Sequence, residues 1–178
     1  MILERKEART MKVRPAKRDD LGDIMTCVRR LKKEYFEEKG IPQWQGDYPS
    51  RETFLSDIEG GRLFVMYMGE CLVGFTSVCF EPDPCYTEIE GEGWKNDGAY
   101  AVVHRFGINP DWHGMGMGKA LMGLADRFCE AKKVSAIRAD THEANAAMIG
   151  LLKKCGFEER GTIHLADGAP RLAFEKNL

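Results

Sequence analysis

The 178-residue chain contains no apolar window approaching the roughly 18 residues of a transmembrane helix. Its first fifteen residues also lack the apolar run of about 7 to 15 residues that a signal peptide requires, so a cytoplasmic location is expected. The six cysteines (Cys27, Cys71, Cys79, Cys85, Cys129, Cys155) form no CxxC pair. With four histidines they offer no metal-ligand spacing, so no metal is expected and the thiols are read as reduced packing residues. A net charge of -2 gives no electrostatic reason for a nucleic acid or an anionic membrane as partner. No repeat, low-complexity tract or Pro/Ser-rich linker interrupts the chain. We therefore expect one domain over residues 11–178, preceded by a loosely held extension over residues 1–10.

Periodicity supplies an element order. A short strand at 11–14 precedes a helix over about 18–39, where Leu21, Ile24, Met25, Val28, Leu31 and Tyr35 recur at helical spacing. The irregular, aromatic segment 41–50 leads to Ser50, the expected N-cap of a short helix carrying Phe54, Leu55 and Ile58. Strands over 62–67 and 72–80 are joined by a hairpin at 68–71. A long loop over 81–97 is expected to hold a short strand at 86–89. The strongest strand, Tyr100 to Ile108, is followed by a helix at 116–132, a strand at 135–139, a helix at 144–154 and strands near 157–165 and 171–175. The order predicts a mixed α/β sheet with helices on both faces.

Between the strong strand and the next helix lie three glycines at alternate positions, Gly114, Gly116 and Gly118, followed by Lys119. Without Cβ atoms such a loop adopts positive φ and turns its amides toward one point. The helix start adds unpaired N–H groups and a partial positive charge, so the expected occupant is a phosphate or pyrophosphate. Two common phosphate loops fail on spacing. The dinucleotide pattern needs a glycine or alanine where Lys119 or Leu121 stands, and the Walker pattern needs a glycine at His113 and a hydroxyl residue at Ala120.

The run His113-Gly114-Met115-Gly116-Met117-Gly118 instead resembles the cofactor loop of the GNAT superfamily of N-acetyltransferases, with His113 replacing the usual Arg or Gln. Asn145 to Phe157 is similar to that family's Asn-led helix ending in Gly-Phe. By motif the resemblance covers about residues 99–159. It implies a mostly antiparallel sheet of about seven strands, splayed at the central strand. It also implies acetyl-CoA as cosubstrate and transfer of the acetyl group to a primary amine of a small molecule or peptide, by direct attack in a ternary complex. The cofactor contacts it implies are Phe106, Gly107, Ile108, His113, Gly114, Met115, Gly116, Met117, Gly118, Lys119 and Asn145, with a strand amide, Gly107 being the favoured one, as oxyanion donor. Asn145 is alternatively a local helix cap.

An amine with pKa near 10.4 is neutral in only about one molecule in 2,500 at pH 7, so a base is needed. Alternation places Tyr100, Val102, His104 and Phe106 on one face of the strong strand, the face that lines the transfer cleft in resembling enzymes. His104 is the expected base, an imidazole having an ordinary pKa of about 6.5, with Glu88 and Glu90 in reserve. A structural histidine beside Arg105 is the competing assignment. The acceptor pocket is expected from Trp44, Tyr48, Trp94, Asp140 and His142. These rings alternatively only pack, and Asp140 alternatively pairs with Arg138 or Arg105. The family's usual Tyr, which protonates the departing thiolate, is replaced by Leu152; Tyr86, Tyr48 and His142 are the substitutes considered. That departure leaves an acetyl-CoA sensor or degenerate module as the alternative function. A homodimer through a sheet edge is also compatible with this fold class.

Overall fold

The computed structural model describes residues 10–178, so the expected N-terminal extension lies, save Thr10, outside the described residues. One sheet is built from β1 (Met11–Pro15), β2 (Leu63–Met68), β3 (Cys71–Cys79), β4 (Glu90–Gly91), β5 (Tyr100–Ile108), β6 (Ala136–Thr141), β7 (Glu158–His164) and β8 (Pro170–Asn177). Their spatial order is β1-β2-β3-β5-β6-β8-β7-β4. Among the described residues only the β5–β6 pair is parallel. Helices α1 (Leu21–Leu31) and α2 (Arg51–Glu59) cover one face, burying Leu21, Ile24, Val28, Leu31 and Phe54 against Leu63, Val65 and Phe75. Helices α3 (Met117–Lys132) and α4 (Ala146–Lys154) cover the other, where Met122, Ala125 and Leu152 meet Val78, Ala101, Val103, Ile137, Ala139 and Phe174. Among the described residues no helix is long and apolar enough to cross a membrane.

The sheet has eight strands rather than the expected seven, and the strand expected at 86–89 is displaced. Asp83 caps a 3-10 turn over Pro84–Tyr86, its side chain accepting the Cys85 N–H at 2.9 Å, and the chain pairs with β7 only afterwards, at β4. Gly161 makes that pairing feasible. Its φ is +145°, and a Cβ there would stand 1.9 Å from the Glu90 carbonyl oxygen. The helix expected over 18–39 is also subdivided, into a 3-10 turn at Arg18–Asp20, then α1, then a π-helical segment at Lys32–Glu37. Such wide turns reposition the side chains they carry. Here they place Phe36 in the core against Trp44 and send Tyr35 toward α4. Ser50 caps α2 as expected, accepting the Thr53 N–H at 3.2 Å.

Two departures from regular pairing shape the centre of the sheet. Strands β5 and β6 are paired only where Tyr100, Ala101 and Val102 face Ala136, Ile137 and Arg138. Beyond that point β5 stays with β3 and β6 stays with β8, so the sheet opens as a V toward the ends of both parallel strands. The second departure is a bulge in β5. His104 faces Ser77 and Gly107 faces Phe75, so Arg105 and Phe106 together oppose Thr76 alone. Arg105 absorbs the extra residue with φ +46°, a conformation uncommon for a non-glycine side chain. The bulge corrects the expected strand parity: Tyr100, Val102 and His104 share the α1/α2 face, whereas Phe106 packs on the α3 side.

Candidate active site

The open V exposes one edge of β5. Asn109 donates its N–H to the Val73 carbonyl at 2.9 Å, and alternation in an antiparallel pair directs the Gly107 N–H to β3 as well. The amides of Phe106 and Ile108 therefore face the gap left by β6. This alters the oxyanion-donor assignment, since Gly107 has its amide turned away. Its missing side chain instead makes room for packing, because a Cβ there would stand 2.6 Å from Phe75 Cζ and 3.0 Å from Leu31 Cδ1.

The glycine loop lies at the wide end of the V. Gly114 and Gly116 have φ of +75° and +78°, and a Cβ at either would meet no atom within 4 Å. The concave side of this turn is open and lined by backbone. Gly116 leads into α3, whose first-turn amides lack an intrahelical partner. Lys119 and Met115 are exposed, while Met117 is partly buried below the loop. Gly118 differs from the other two. It serves helix packing, since a Cβ there would stand 3.1 Å from Leu151 Cδ2. His113 does not point into the loop. Its Nε2 lies 2.7 Å from the Ile108 carbonyl oxygen, and its ring meets Tyr35 edge-on at 5.5 Å. The donor set fits a pyrophosphate: backbone amides, with space where side chains would stand.

Tyr35 joins the two arms of the V. One side of its ring touches His113, after β5, and its hydroxyl donates to Asn145 Oδ1 at 3.1 Å, after β6. Asn145 also caps α4 through Met148 N–H and donates from Nδ2 to Gln43 Oε1 at 2.9 Å. The expected cofactor contact is thus a buried residue that already engages three groups. Burial pushes the Tyr35 phenol upward from its ordinary pKa.

On the α1/α2 face, His104 Nε2 is 3.0 Å from Asp83 Oδ2, and its ring meets Tyr86 edge-on at 6.2 Å. Its hydrogen bond holds the Asp83 carboxyl below the usual carboxylate range. Tyr86 is buried, and its hydroxyl donates to Asp140 at 2.6 Å. Burial, together with Asp140, drives that phenol well above its ordinary pKa. The pairing of Asp140 is therefore with Tyr86. The two arginines weighed for it go elsewhere, Arg138 to Glu175 and Arg105 to Asp57. Trp94 lies behind this group, stacked on Tyr86 with its Nε1–H donated to the Tyr86 carbonyl. Trp44 is 9% exposed and packs between Phe36 and Phe75, which places its ring in the core. Tyr48 is exposed, with its hydroxyl 3.3 Å from Arg105 Nη1. His142 accepts the Ala144 N–H on Nδ1 in the loop before α4. Glu88 and Glu90 are exposed, and Glu90 belongs to the far edge strand β4.

Beneath the bulge is a charged cluster that no sequence pattern announces. Asp57 of α2, 3% exposed, accepts from Arg105 Nε at 2.5 Å and Nη2 at 2.9 Å, from Ser77 Oγ at 2.5 Å and from Arg62 Nε at 3.3 Å. Burial acts against the Arg105 charge, and the Asp57 carboxylate and the Tyr48 hydroxyl together more than offset it. The cluster clamps Arg105 in its left-handed conformation and so fixes the bulge that divides the two faces.

Leu152 is fully buried in the α3/α4 core. The cysteines are all free, and burial pushes Cys27 up to about 12 and Cys79 and Cys129 up to about 11. Among the described residues no cluster of three or more His, Cys, Asp or Glu is arranged to hold a metal ion.

Comparisons with known proteins agree with this fold. Among curated proteins no sequence matches significantly. A GNAT-family acetyltransferase from Streptococcus agalactiae superimposes with a TM-score of 0.84 at 29% identity, covering 94% of this chain and 95% of that one. A GNAT-family acetyltransferase from Listeria monocytogenes gives 0.72 at 20% identity over 94% and 95%. The PaiA N-acetyltransferase of Thermoplasma acidophilum, solved in complex with coenzyme A, gives 0.69 at 18% identity over 95% and 99%. The sequence pattern of the Acetyltransferase (GNAT) family matches residues 26–157, so the chain belongs to the GNAT family of acetyltransferases.

Proposed function

We propose that the protein transfers an acetyl group from acetyl-CoA to a primary amine of a small molecule or peptide, by direct attack within a ternary complex. The observation that carries this is the V between β5 and β6, with an open glycine cradle at its wide end and His104 on the α1/α2 face. The amides of the Gly114–Gly118 loop and of the first turn of α3 bind the pyrophosphate. Phe106 and Ile108 offer N–H groups to the thioester carbonyl and to the oxyanion that develops on it. His104 takes the amine proton, directly or through water, as the nitrogen lone pair forms the new C–N bond. The C–S bond then breaks and its electron pair leaves on sulfur. We assign Tyr48, Asp140 and His142 to the acceptor side, where Trp94 backs the Tyr86 ring that bonds Asp140.

Thiol release from acetyl-CoA measured across an amine panel, beside titrations with acetyl-CoA, ATP and NAD, tests the assignment. The expected result is acetyl-CoA binding and thiol release with a subset of amines. Stabilisation by a nucleotide and not by CoA would overturn it. A second function, a CoA-binding sensor, is favoured by one observation: the aliphatic, fully buried Leu152 stands where the family commonly has its proton-donating Tyr. Tight CoA binding without thiol release from any amine would establish the sensor. A thiol with pKa near 8.5 departs tolerably as thiolate, which is why Leu152 does not by itself preclude turnover.

A further inference from the structure

Asp83 is 21 residues from His104 along the chain, yet its carboxylate pairs with the imidazole. Its carboxylate is gripped at both oxygens: Oδ2 lies 3.0 Å from His104 Nε2, and Oδ1 accepts the Cys85 N–H at 2.9 Å. The same short turn ends in Tyr86, which borders the imidazole edge-on and ties the turn to Asp140 of β6. The Asp83 N–H in turn reaches the Tyr100 hydroxyl at 3.4 Å. Asp83 therefore comes from a capped turn anchored to both arms of the V. The pair remains accessible, with side chains 20% and 24% exposed.

We propose that Asp83 is the positioning residue of the transfer reaction. By accepting the Nε2–H of His104 it fixes the ring, leaves Nδ1 as the nitrogen that accepts a proton, and stabilises the imidazolium once that proton arrives. The proposal rests on His104 being the base. The amine proton moves to Nδ1 while the amine lone pair bonds the acyl carbon. The thioester C–S electrons depart with sulfur, and the imidazolium returns its proton to solvent. Asp83 stays a carboxylate throughout. The other groups near His104 do not compete for this role. Ser77, opposite it on β3, donates to Asp57; Arg105, next on β5, is held by Asp57; Tyr86 donates to Asp140; and the Tyr100 hydroxyl meets the Asp83 backbone.

The test compares Asp83→Ala, Asp83→Asn, Asp83→Glu and His104→Ala by steady-state kinetics across pH, with CoA affinity measured separately. Asp83→Asn keeps the shape and a carbonyl for the Cys85 N–H, but presents an N–H to Nε2. That forces the ring proton onto Nδ1 and removes the lone pair that acts as base. Its kcat is expected to fall on the order of 100-fold, with CoA affinity unchanged within about twofold. Asp83→Ala is expected to lower kcat with CoA affinity again unchanged, because the ring loses the partner that orients it. Asp83→Glu is expected to recover part of the loss. Wild-type turnover in Asp83→Asn, or a fall in CoA affinity that matches the fall in kcat, overturns the positioning role when His104→Ala is crippled. Wild-type turnover in His104→Ala instead rejects the base itself.

Discussion

Replacing Asp57 by alanine removes the acceptor for four donated hydrogen bonds and leaves the Arg105 guanidinium, 13% exposed, without a counter-charge. Breaking a buried ion pair from one side costs about 3–5 kcal/mol, most of it the unpaired charge left behind. Arg62 is more exposed and Ser77 neutral, so their losses add little. At about 2–4 °C per kcal/mol for a chain of this size, 4 kcal/mol lowers the melting temperature by roughly 8–16 °C. Urea unfolding of Asp57→Ala beside the double variant Asp57→Leu/Arg105→Met isolates the cause. The double variant removes both charges and is expected to recover most of the lost stability, since apolar replacement of a buried pair is often neutral. It is expected not to recover activity, because nothing then clamps the β5 bulge that aims Phe106 and Ile108 at the gap. A loss below about 1 kcal/mol in Asp57→Ala would refute the argument, since the pair would then act like a screened surface bridge.

Three further outcomes follow from the same geometry. Gly116→Val forces a β-branched residue to φ +78° and fills the open cradle, so calorimetric CoA affinity is expected to fall at least about tenfold, with local strain of about 1–2 kcal/mol. Leu152→Tyr, which restores the family's proton donor, is expected to destabilise the fold by about 1–3 kcal/mol and not to raise kcat, because the site is fully buried in the core. The Asp20 carboxyl is held below its usual range by the Arg14 guanidinium, so its contribution is complete above about pH 4 and disappears as the pH falls through the lower folded value. Acid titration of unfolding free energy is expected to show wild type and Asp20→Asn converging below that pH.

The shape of the proposed cofactor side was legible because it is local. A strand, a glycine turn and a helix are consecutive in sequence, and the positive φ at Gly114 and Gly116 follows from residues that adopt it without penalty. The proposed acceptor side is assembled from distant pieces. Asp57 meets Arg105 and Asp83 meets His104 across long stretches of chain, and neither pairing leaves a periodic trace. Parity failed at Phe106 for a related reason. The glycine in β5 drew attention to position 107, yet the residue with inverted φ is Arg105, held there by a tertiary ion pair that strand alternation cannot register. The tryptophans were ambiguous because aromatic rings in a loop serve a wall or a core equally well. In this fold Phe36 and Phe75 enclose Trp44, and Tyr86 takes Trp94.

The brief contact between β5 and β6 has a mechanical consequence. Three paired positions make a hinge, and the angle between the two half-sheets is propped by the side chains wedged beneath it: Val103 on one half, Ile137 and Ala139 on the other, with Leu152 pressed against both. The aperture at the top of the V is thus calibrated from below by aliphatic volume. A methylene added or removed at Leu152 is therefore expected to alter the width of that aperture.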